Sequence, residues 1–348
     1  MVSIDATLDA LFRPFADGEL DRAWLGQAVF VRARAGAWQA SWPALACVQT
    51  FRPHADELVR AGAMLADAGS WPATRCVLLL PQRQRDEARA LLARALRHVG
   101  AGGLLIACQP NDEGARSGEA DLRRLAGAVC SRSRHKCRAY WTFADAATLD
   151  EALAAEWAAL DAPRALGHGR WIGRPGLFSW DRVDPASALL AAHLSPAIAG
   201  RVADLGAGWG WLAAQVVLRC PEVGSIDLYE AEQRAEVAAL ANVARACRDA
   251  GREVAREFRW HDVVHGIDAA YDAIVSNPPF HQGRADDPGL GRAFIRAAAT
   301  GLAPQGTLLL VANRHLPYEA ALAQGFGRVR VLAERDGFKL FEAREPRA

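Results

Sequence analysis

The sequence predicts an α/β protein made of two similar folds in tandem, the second of them built on a doubly wound, mostly parallel sheet. From about residue 200, short apolar strands alternate with Ala-rich helices, a pattern typical of parallel sheets with helices on both faces. The first half has a weaker form of this alternation and no Gly-rich loop after its strands, so we interpret it as a degenerate copy. A length of 348 residues also favours two domains.

The predicted elements follow from the order of apolar runs and turn signals. In the first half, strands are predicted over 76–81, 102–109 and 137–143, and helices over 85–99 and 119–129. In the second half, strands are predicted over 201–205, 225–230, 253–260, 271–276 and 306–313, and helices over 211–220, 232–250 and 293–303. The segment 329–343 is predicted to form a hairpin that turns at Asp336 and Gly337, as an antiparallel edge of the sheet.

Residues 167–180 are polar or small and are interpreted as the connection between the halves, which gives domains of 1–166 and 167–348. The formal net charge of +1 provides no global field for nucleic acid. Apolar runs are too short for a membrane span, and the N-terminus does not have the pattern of a signal peptide. The seven cysteines show no CxxC pairing, which argues against a disulfide framework or a metal site and for a reducing cytoplasm.

A Gly-rich loop follows the first strand of the second half and opens a helix, in the segment DLGAGWG at 204–210. Its glycines let the backbone approach a ligand, next to the free N–H groups of a helix N-terminus. Glu230 ends the second strand, where a carboxylate can accept both hydroxyls of a ribose, and Asp262 follows the third strand. The alternative is that Glu230 caps the following helix and Asp262 caps a turn. The glycine spacing departs from the dinucleotide fingerprint GxGxxG, so a dinucleotide fits less well.

A second signal lies at 274–283, where IVSNPPFHQG ends a strand with an amide, two prolines and an aromatic ring. Prolines lack the N–H that a central strand needs, so the strand stops at Ser276. Asn277-Pro278 can simply begin a turn. However, ligands of doubly wound sheets bind beyond the carboxyl ends of the strands. We therefore expect Asn277 to lie at the same edge as the Gly-rich loop and the two acids.

Together, DLGAGWG, YE, HD and SNPPF resemble the class I S-adenosylmethionine-dependent methyltransferases that modify an amino group. More narrowly, the sequence is similar to the RsmC family, guanine-N2 methyltransferases of ribosomal RNA, in the segments 175–190, 276–283, 311–318 and 337–343. Residues 107–125 and 133–141 are similar to that family's N-terminal domain, which is regarded as a duplicated methyltransferase fold without cofactor-binding residues. The chief departure is the bulk of Trp209 and Trp211, expected to alter the pocket wall without abolishing binding.

The resemblance implies tandem Rossmann-like methyltransferase folds and methyl transfer from S-adenosylmethionine to N2 of a guanine in 16S ribosomal RNA. The substrate would be the small ribosomal subunit or an assembly intermediate, and the protein a cytoplasmic monomer that binds no membrane. The implied cofactor-binding residues are Asp204, Gly206, Gly208, Gly210, Glu230, Asp262 and Asn277. The implied catalytic residues are Asn277, Pro278, Pro279 and Phe280. Asn277 and the Pro278 carbonyl would accept the amino hydrogens, and Phe280 would stack on the base.

Between Arg123 and Arg138 the chain carries six basic residues and no acid. Four of these residues, here called the basic run, are predicted to contact RNA phosphates: Arg132, Arg134, Lys136 and Arg138. The alternative is a solvated face. Three other functions stay open at this point: a guanine-N2 methyltransferase of 23S ribosomal RNA, an NPP-type enzyme that methylates adenine or a protein glutamine, and a non-enzymatic RNA-binding assembly protein with a vestigial pocket.

Overall fold

The computed structural model describes residues 5–279, 281–282, 285–286 and 288–347. The chain divides into two compact units, Met1–Ala162 and Pro163–Ala348. Each unit contains a seven-stranded sheet. The segment that the sequence suggests as a connection includes one strand of a short hairpin, which belongs to the second unit.

The first unit is a mixed sheet flanked by helices. Its strands are β1 (Val29–Val31), β2 (Ala46–Val48), β3 (Met64–Leu65), β4 (Cys76–Leu79), β5 (Leu104–Pro110), β6 (Cys130–Arg134) and β7 (Cys137–Phe143). Its helices are α1 (Ala6–Ala16), α2 (Arg52–Arg60), α3 (Arg85–Val99), α4 (Ala115–Ala126) and α5 (Glu151–Ala158). The strand order is β3-β2-β1-β4-β5-β7-β6, and only the pairs that involve β7 are antiparallel.

The second unit contains the larger sheet. Its strands are β8 (Arg164–Leu166), β9 (Trp171–Gly173), β10 (Ala199–Leu205), β11 (Glu222–Glu230), β12 (Ala255–Trp260), β13 (Tyr271–Ser276), β14 (His281–Gln282), β15 (Ala285–Asp286), β16 (Leu302–Asn313), β17 (Phe326–Arg335) and β18 (Phe338–Pro346). Its helices are α6 (Pro185–Ala192), α7 (Trp211–Arg219), α8 (Glu236–Ala250), α9 (Pro288–Gly301) and α10 (Glu319–Gly325). The main sheet has the order β12-β11-β10-β13-β16-β18-β17, while β8–β9 and β14–β15 form separate hairpins.

The two main sheets share one connectivity. When the strands of each sheet are numbered from one in chain order, both sheets read 3-2-1-4-5-7-6. In both, the last strand lies antiparallel between its two neighbours. The predicted tandem α/β fold is therefore confirmed, including the antiparallel hairpin at the edge of the second sheet.

Helices cover both faces of the second sheet, which explains why its central strands are almost continuously apolar. The neighbouring residues Val202 and Ala203 of β10 point to opposite faces, and each is buried in a different hydrophobic cluster. Ile274 and Val275 of β13 divide in the same way. Burial on both faces fixes the register of these strands, because a slip by one residue would exchange the two faces.

The prediction is weakest in the first unit, where β1, β2 and β3 contain three residues or fewer and no strand was predicted. Such short runs carry too few residues for a periodic signal. The predicted helix at 119–129 is observed at Ala115–Ala126, and it ends where Gly127 adopts a φ of 79°. Six of the seven cysteines are buried. Within the described residues, no helix is long and apolar enough to cross a membrane.

Candidate active site

Three parallel strands of the second unit end side by side. Leu205, the last residue of β10, pairs with Tyr229 of β11 and with Ser276 at the end of β13. The Ser276 hydroxyl donates a hydrogen bond to the Leu205 carbonyl over 2.8 Å and ties two strand ends together. The chain order reverses between β10 and β13, so the crevice for a ligand lies beyond these ends. The loops that follow β10 and β13 therefore meet at this edge.

The glycines of the loop after β10 have positive φ angles of 78°, 53° and 78°, at Gly206, Gly208 and Gly210. A Cβ at Gly206 would lie 3.4 Å from the Phe294 ring and 3.8 Å from the Pro279 ring, which are ordinary contacts, so here the positive φ and not the space favours glycine. A Cβ at Gly210 would lie 2.8 Å from the backbone of Ala239, so this glycine lets α7 pack on α8. No atom lies within 4 Å of the corresponding position at Gly208. Of the three, Gly208 is the one that opens onto space for a ligand.

Asp204 supports this loop from the protein interior. Its side chain is buried, with 1% of the residue exposed, and it accepts a hydrogen bond of 3.0 Å from the backbone N–H of Ala213 in the first turn of α7. Burial raises the pKa of Asp204 to about 7, while the Ala213 N–H opposes the rise and the Glu230 charge adds to it. The described contact is with the helix, so Asp204 positions the loop. Its predicted contact with the cofactor stays a prediction.

Glu230 binds the Gly-rich loop directly. One carboxylate oxygen accepts the N–H of Gly208 at 2.7 Å, and the other accepts the N–H of Glu232 at 2.9 Å. Burial raises the pKa of Glu230 above its ordinary value, although these backbone donors oppose the rise. An ionised carboxylate has about four lone-pair positions, so acceptor capacity remains for a ligand beside these backbone donors. Glu230 therefore combines support of the loop with free acceptor capacity beside Gly208.

The Asp262 side chain caps the turn that follows it, which is the structural alternative that the sequence allowed for this residue. Its carboxylate accepts the N–H of Val264 at 3.0 Å, and its other oxygen lies 3.6 Å from the His265 ring. The backbone N–H of His261 donates to the Glu230 carbonyl over 3.0 Å, which holds this turn next to the end of β11. Asp262 therefore borders the same edge, with one carboxylate oxygen occupied by the cap.

The orientation of the Asn277 amide is fixed by its partners. Its nitrogen donates to a carboxylate oxygen of Asp184 at 2.8 Å and to the Ser187 hydroxyl at 2.9 Å. A carboxylate can only accept, so the amide nitrogen must face Asp184 and the amide oxygen must face away. The oxygen is therefore the atom left to accept a hydrogen from a substrate amine.

Asp184 and Ser187 are site residues that the motif reasoning missed. The same Asp184 oxygen accepts the backbone N–H of Ser187 at 2.8 Å and caps α6, which begins at Pro185. The sequence signal was available, since Asp followed by Pro is typical of a helix N-terminus. Nothing in the sequence, however, indicates that this cap also binds Asn277.

The remaining residues of the NPPF motif are only partly described. Pro278 is buried and Pro279 is exposed, and Pro279 lies beside Gly206 as stated above. Phe280 lies outside the described residues. Among the described residues, no group of three or more His, Cys, Asp or Glu side chains could hold a metal ion.

Comparisons with known proteins agree with this geometry. Residues 169–342 match the family described as Methyltransferase small domain. The ribosomal RNA small subunit methyltransferase C of Pseudomonas paraeruginosa is 32% identical over 281 residues, which cover 81% of either chain. The chain belongs to the family of the ribosomal RNA small subunit methyltransferases C. The corresponding protein of Chromohalobacter salexigens is 39% identical over 173 residues, 49% of either chain.

A solved structure shares the fold of the methyltransferase over most of its length. This is the T. thermophilus 16S rRNA N2 G1207 methyltransferase (RsmC), in complex with AdoMet and guanosine. The TM-score is 0.73 at 24% identity, and the likeness covers 92% of this chain and 88% of that one. The predicted family and the tandem fold are confirmed.

The two tryptophans that depart from the usual loop have different environments in the methyltransferase. Trp209 is buried in the core, its ring N–H donates to the Ser179 carbonyl at 3.2 Å, and its own carbonyl accepts from Asn242 at 2.7 Å. It therefore anchors the segment before Asp184. Trp211 is half-buried, packs against the core and begins α7.

The basic run does not form the positive surface that its sequence suggests. Its arginines are ion-paired within the first unit: Arg132 with Asp17 and Glu19, Arg134 with Asp9, and Arg138 with Glu119. Asp9 of α1 and the following Asp17 and Glu19 are far from the run in the sequence, whereas Glu119 of α4 lies 19 residues before Arg138. The local charge is therefore largely neutralised. RNA binding by the basic run, including Lys136, stays a prediction.

Proposed function

We propose that this methyltransferase transfers the methyl group of S-adenosylmethionine to the exocyclic N2 amine of a guanine in 16S ribosomal RNA. The family membership supports the methyl donor and the RNA substrate. The observation that carries the chemistry is the fixed amide of Asn277, whose nitrogen is bound by Asp184 and Ser187 next to the Gly-rich loop. This arrangement leaves an acceptor oxygen for an amine.

The residues of the loop fit the cofactor. The open space at Gly208 gives the ligand access to the backbone, and the Glu230 carboxylate beside it suits the two ribose hydroxyls. Asp204 holds the start of α7 and thereby the shape of the loop. The sulfonium of the cofactor supplies an activated methyl group, so the protein is required mainly to position the acceptor.

The amine of guanine is a poor nucleophile because its lone pair is delocalised into the ring. The Asn277 side-chain oxygen and the Pro278 carbonyl would accept its two hydrogens and orient the nitrogen. Proline rings restrict the loop, so less conformational entropy is lost when the base binds. Correct orientation of two reacting groups accounts for a large part of many enzymatic rate increases. The base must leave its stack to enter the crevice, and Phe280 is proposed to stack on it.

We propose that the first unit recognises RNA and does not catalyse. Its β1 occupies the position that β10 has in the second sheet, yet the residue after β1 is Arg32 rather than a Gly-rich loop. Arg32 is buried and ion-paired with the buried Glu87, close to Thr50 after β2. On this proposal, Arg32 and Glu87 occupy the place that corresponds to the cofactor-binding edge of the second sheet. The protein is further proposed to act as a cytoplasmic monomer on the small subunit or an assembly intermediate.

The test is methyl transfer from labelled S-adenosylmethionine to 16S ribosomal RNA isolated from cells that lack the protein. Digestion of the product should yield N2-methylguanosine, and its absence contradicts the proposed reaction. Asn277→Ala should lower the rate by about 10²–10³, comparable to the loss of one positioned transition-state contact, with nearly unchanged cofactor affinity. The control is Gln324→Ala, which removes an exposed amide side chain from α10 of the second unit. Normal turnover of Asn277→Ala would leave this residue as a turn former only.

A further inference from the structure

A groove of about 470 Å³ runs along α7 in the second unit. Arg170 and Trp171 border it on one side, and Val183 borders it near the start of α6. The remaining wall is one face of α7, whose lining residues recur at helical spacing: Trp211, Gln215, Leu218 and Arg219. Apart from Trp211, which follows the Gly-rich loop, none of these residues belongs to the active site.

The groove starts at the active site. Val183 directly precedes Asp184, which binds Asn277, and Trp211 directly follows Gly210 of the Gly-rich loop. Consecutive Cα atoms are about 3.8 Å apart, so the backbone at this end of the groove lies next to Asp184 and to Gly210 of the Gly-rich loop. Arg219 lies at the other end of α7, about 12 Å further along the helix axis at the usual helical rise. The groove therefore leads away from the crevice over the surface of α7.

The charge of the groove is positive and not compensated. Arg170 and Arg219 are exposed, and in the part of the chain that the structure describes neither forms an ion pair with a carboxylate. Arg170 lies 5.3 Å from the centre of the Trp171 ring, and Arg219 donates to the neutral Gln215 amide at 3.2 Å. No acid is among the lining residues. This differs from the basic run, whose arginines are paired with acids.

We propose that this groove binds the single-stranded RNA next to the target guanine. A base stacks on the accessible part of Trp211, and Arg170 and Arg219 bind phosphates. Proteins that bind single strands combine a positive groove with aromatic rings in this way, because every base has a face that can stack. A guanine must leave its stack to enter the crevice, which costs least in a single-stranded segment, where its neighbours are also unpaired. The proposal rests on the proposed RNA substrate.

The decisive experiment measures RNA affinity as a function of salt concentration. The probe is a fluorescein-labelled, single-stranded RNA oligonucleotide that contains guanine, and the readout is fluorescence anisotropy of the full chain between about 50 and 200 mM salt. The groove variant is Arg170→Ala with Arg219→Ala. The matched control is Arg248→Ala with Arg328→Ala. It removes the same charge from exposed positions of the second unit that lie outside the groove and form no ion pair with any described residue.

Each phosphate contact on a single strand contributes about 0.7 to the slope of log affinity against log salt, so the groove variant should lose about 1.4 and the control almost nothing. Trp211→Ala should weaken RNA binding by roughly 5- to 150-fold, and Trp211→Phe should keep most of the affinity. Because Trp211 also packs against the core, thermal unfolding and cofactor affinity are measured for both variants. If Trp211→Ala fails to fold, the test rests on the salt slope of the variant with Arg170→Ala and Arg219→Ala.

Equal slopes for the groove variant and the control overturn the proposal, as does a wild-type protein that does not bind the oligonucleotide. Anisotropy measures binding without methyl transfer, so its result is separate from the test of the proposed reaction. A normal yield of N2-methylguanosine together with equal slopes would support the proposed reaction and reject RNA binding by the groove.

Discussion

Two glycines of one loop should respond to the same substitution in different ways. Gly208→Ala places a methyl group in open space, whereas Gly210→Ala places it 2.8 Å from the backbone of Ala239. Both positions have positive φ angles, 53° and 78°, which a residue with a Cβ adopts only at a cost. We expect Gly208→Ala to affect ligand binding and Gly210→Ala to affect stability.

The magnitudes follow from these distances. A left-handed conformation costs a non-glycine residue about 1–2 kcal/mol, and this is nearly the whole effect on stability expected for Gly208→Ala. Gly210→Ala adds a clash with backbone atoms that cannot turn away, typically about 1–3 kcal/mol. Its free energy of unfolding should therefore fall by about 2–5 kcal/mol. One kcal/mol shifts the Tm of a unit of this size by about 2–4 °C, so a shift of roughly 4–20 °C is expected.

Calorimetric titration with S-adenosylmethionine and thermal unfolding separate the two effects. The added methyl of Gly208→Ala occupies the space assigned to the cofactor, and affinity should fall by roughly 5- to 150-fold, the equivalent of about 1–3 kcal/mol of overpacking. Gly210→Ala should retain most of its affinity at a temperature where it is folded. Unchanged affinity in Gly208→Ala would show that the cofactor does not lie against this glycine.

Three further predictions concern acids and the basic run. Glu230→Ala should weaken S-adenosylmethionine binding by about 1–3 kcal/mol in titration calorimetry, because hydrogen bonds to a charged group are lost; equal affinity would reject its role. Asp204 has a pKa of about 7 in the fold, above the ordinary 3.8, so the folded state binds the extra proton and stability declines as pH rises from about 4 to 7. Asp204→Asn keeps an acceptor for the Ala213 N–H and should remove this decline, which is at most about 4 kcal/mol. The free energy of unfolding is measured in urea at several pH values, and parallel pH dependences for the variant and the wild type would contradict this prediction. Neutralising the whole basic run should lower the salt slope of single-stranded RNA binding by only about 0.7, the contribution of Lys136, since carboxylates hold its arginines; a loss of about 2.8, equal to four contacts, would mean that these ion pairs open on RNA.

The second sheet and the position of its site were predictable because their signals are local. The strands at 201–205 and 271–276 are apolar runs buried on both faces, and the Gly-rich loop and NPP segment end them with residues that cannot continue a strand. Because parallel strands end at the same edge of a sheet, the order of the elements along the chain is enough to predict that the two loops lie close together. Short strands such as β1 and β3 lack such a signal.

The tertiary structure decided which side chains meet. Asn277 binds Asp184, which lies 93 residues earlier, and this contact selects which end of its amide faces a substrate. Arg132 and Arg134 bind acids that lie 113 and 125 residues away, so the charge of a run without acids in sequence is largely neutralised in the fold. Arg170 and Arg219, inconspicuous in the sequence, keep their charge in a groove beside the site. The charge and orientation of a polar group depend on neighbours within a few ångströms, and packing of distant segments supplies those neighbours.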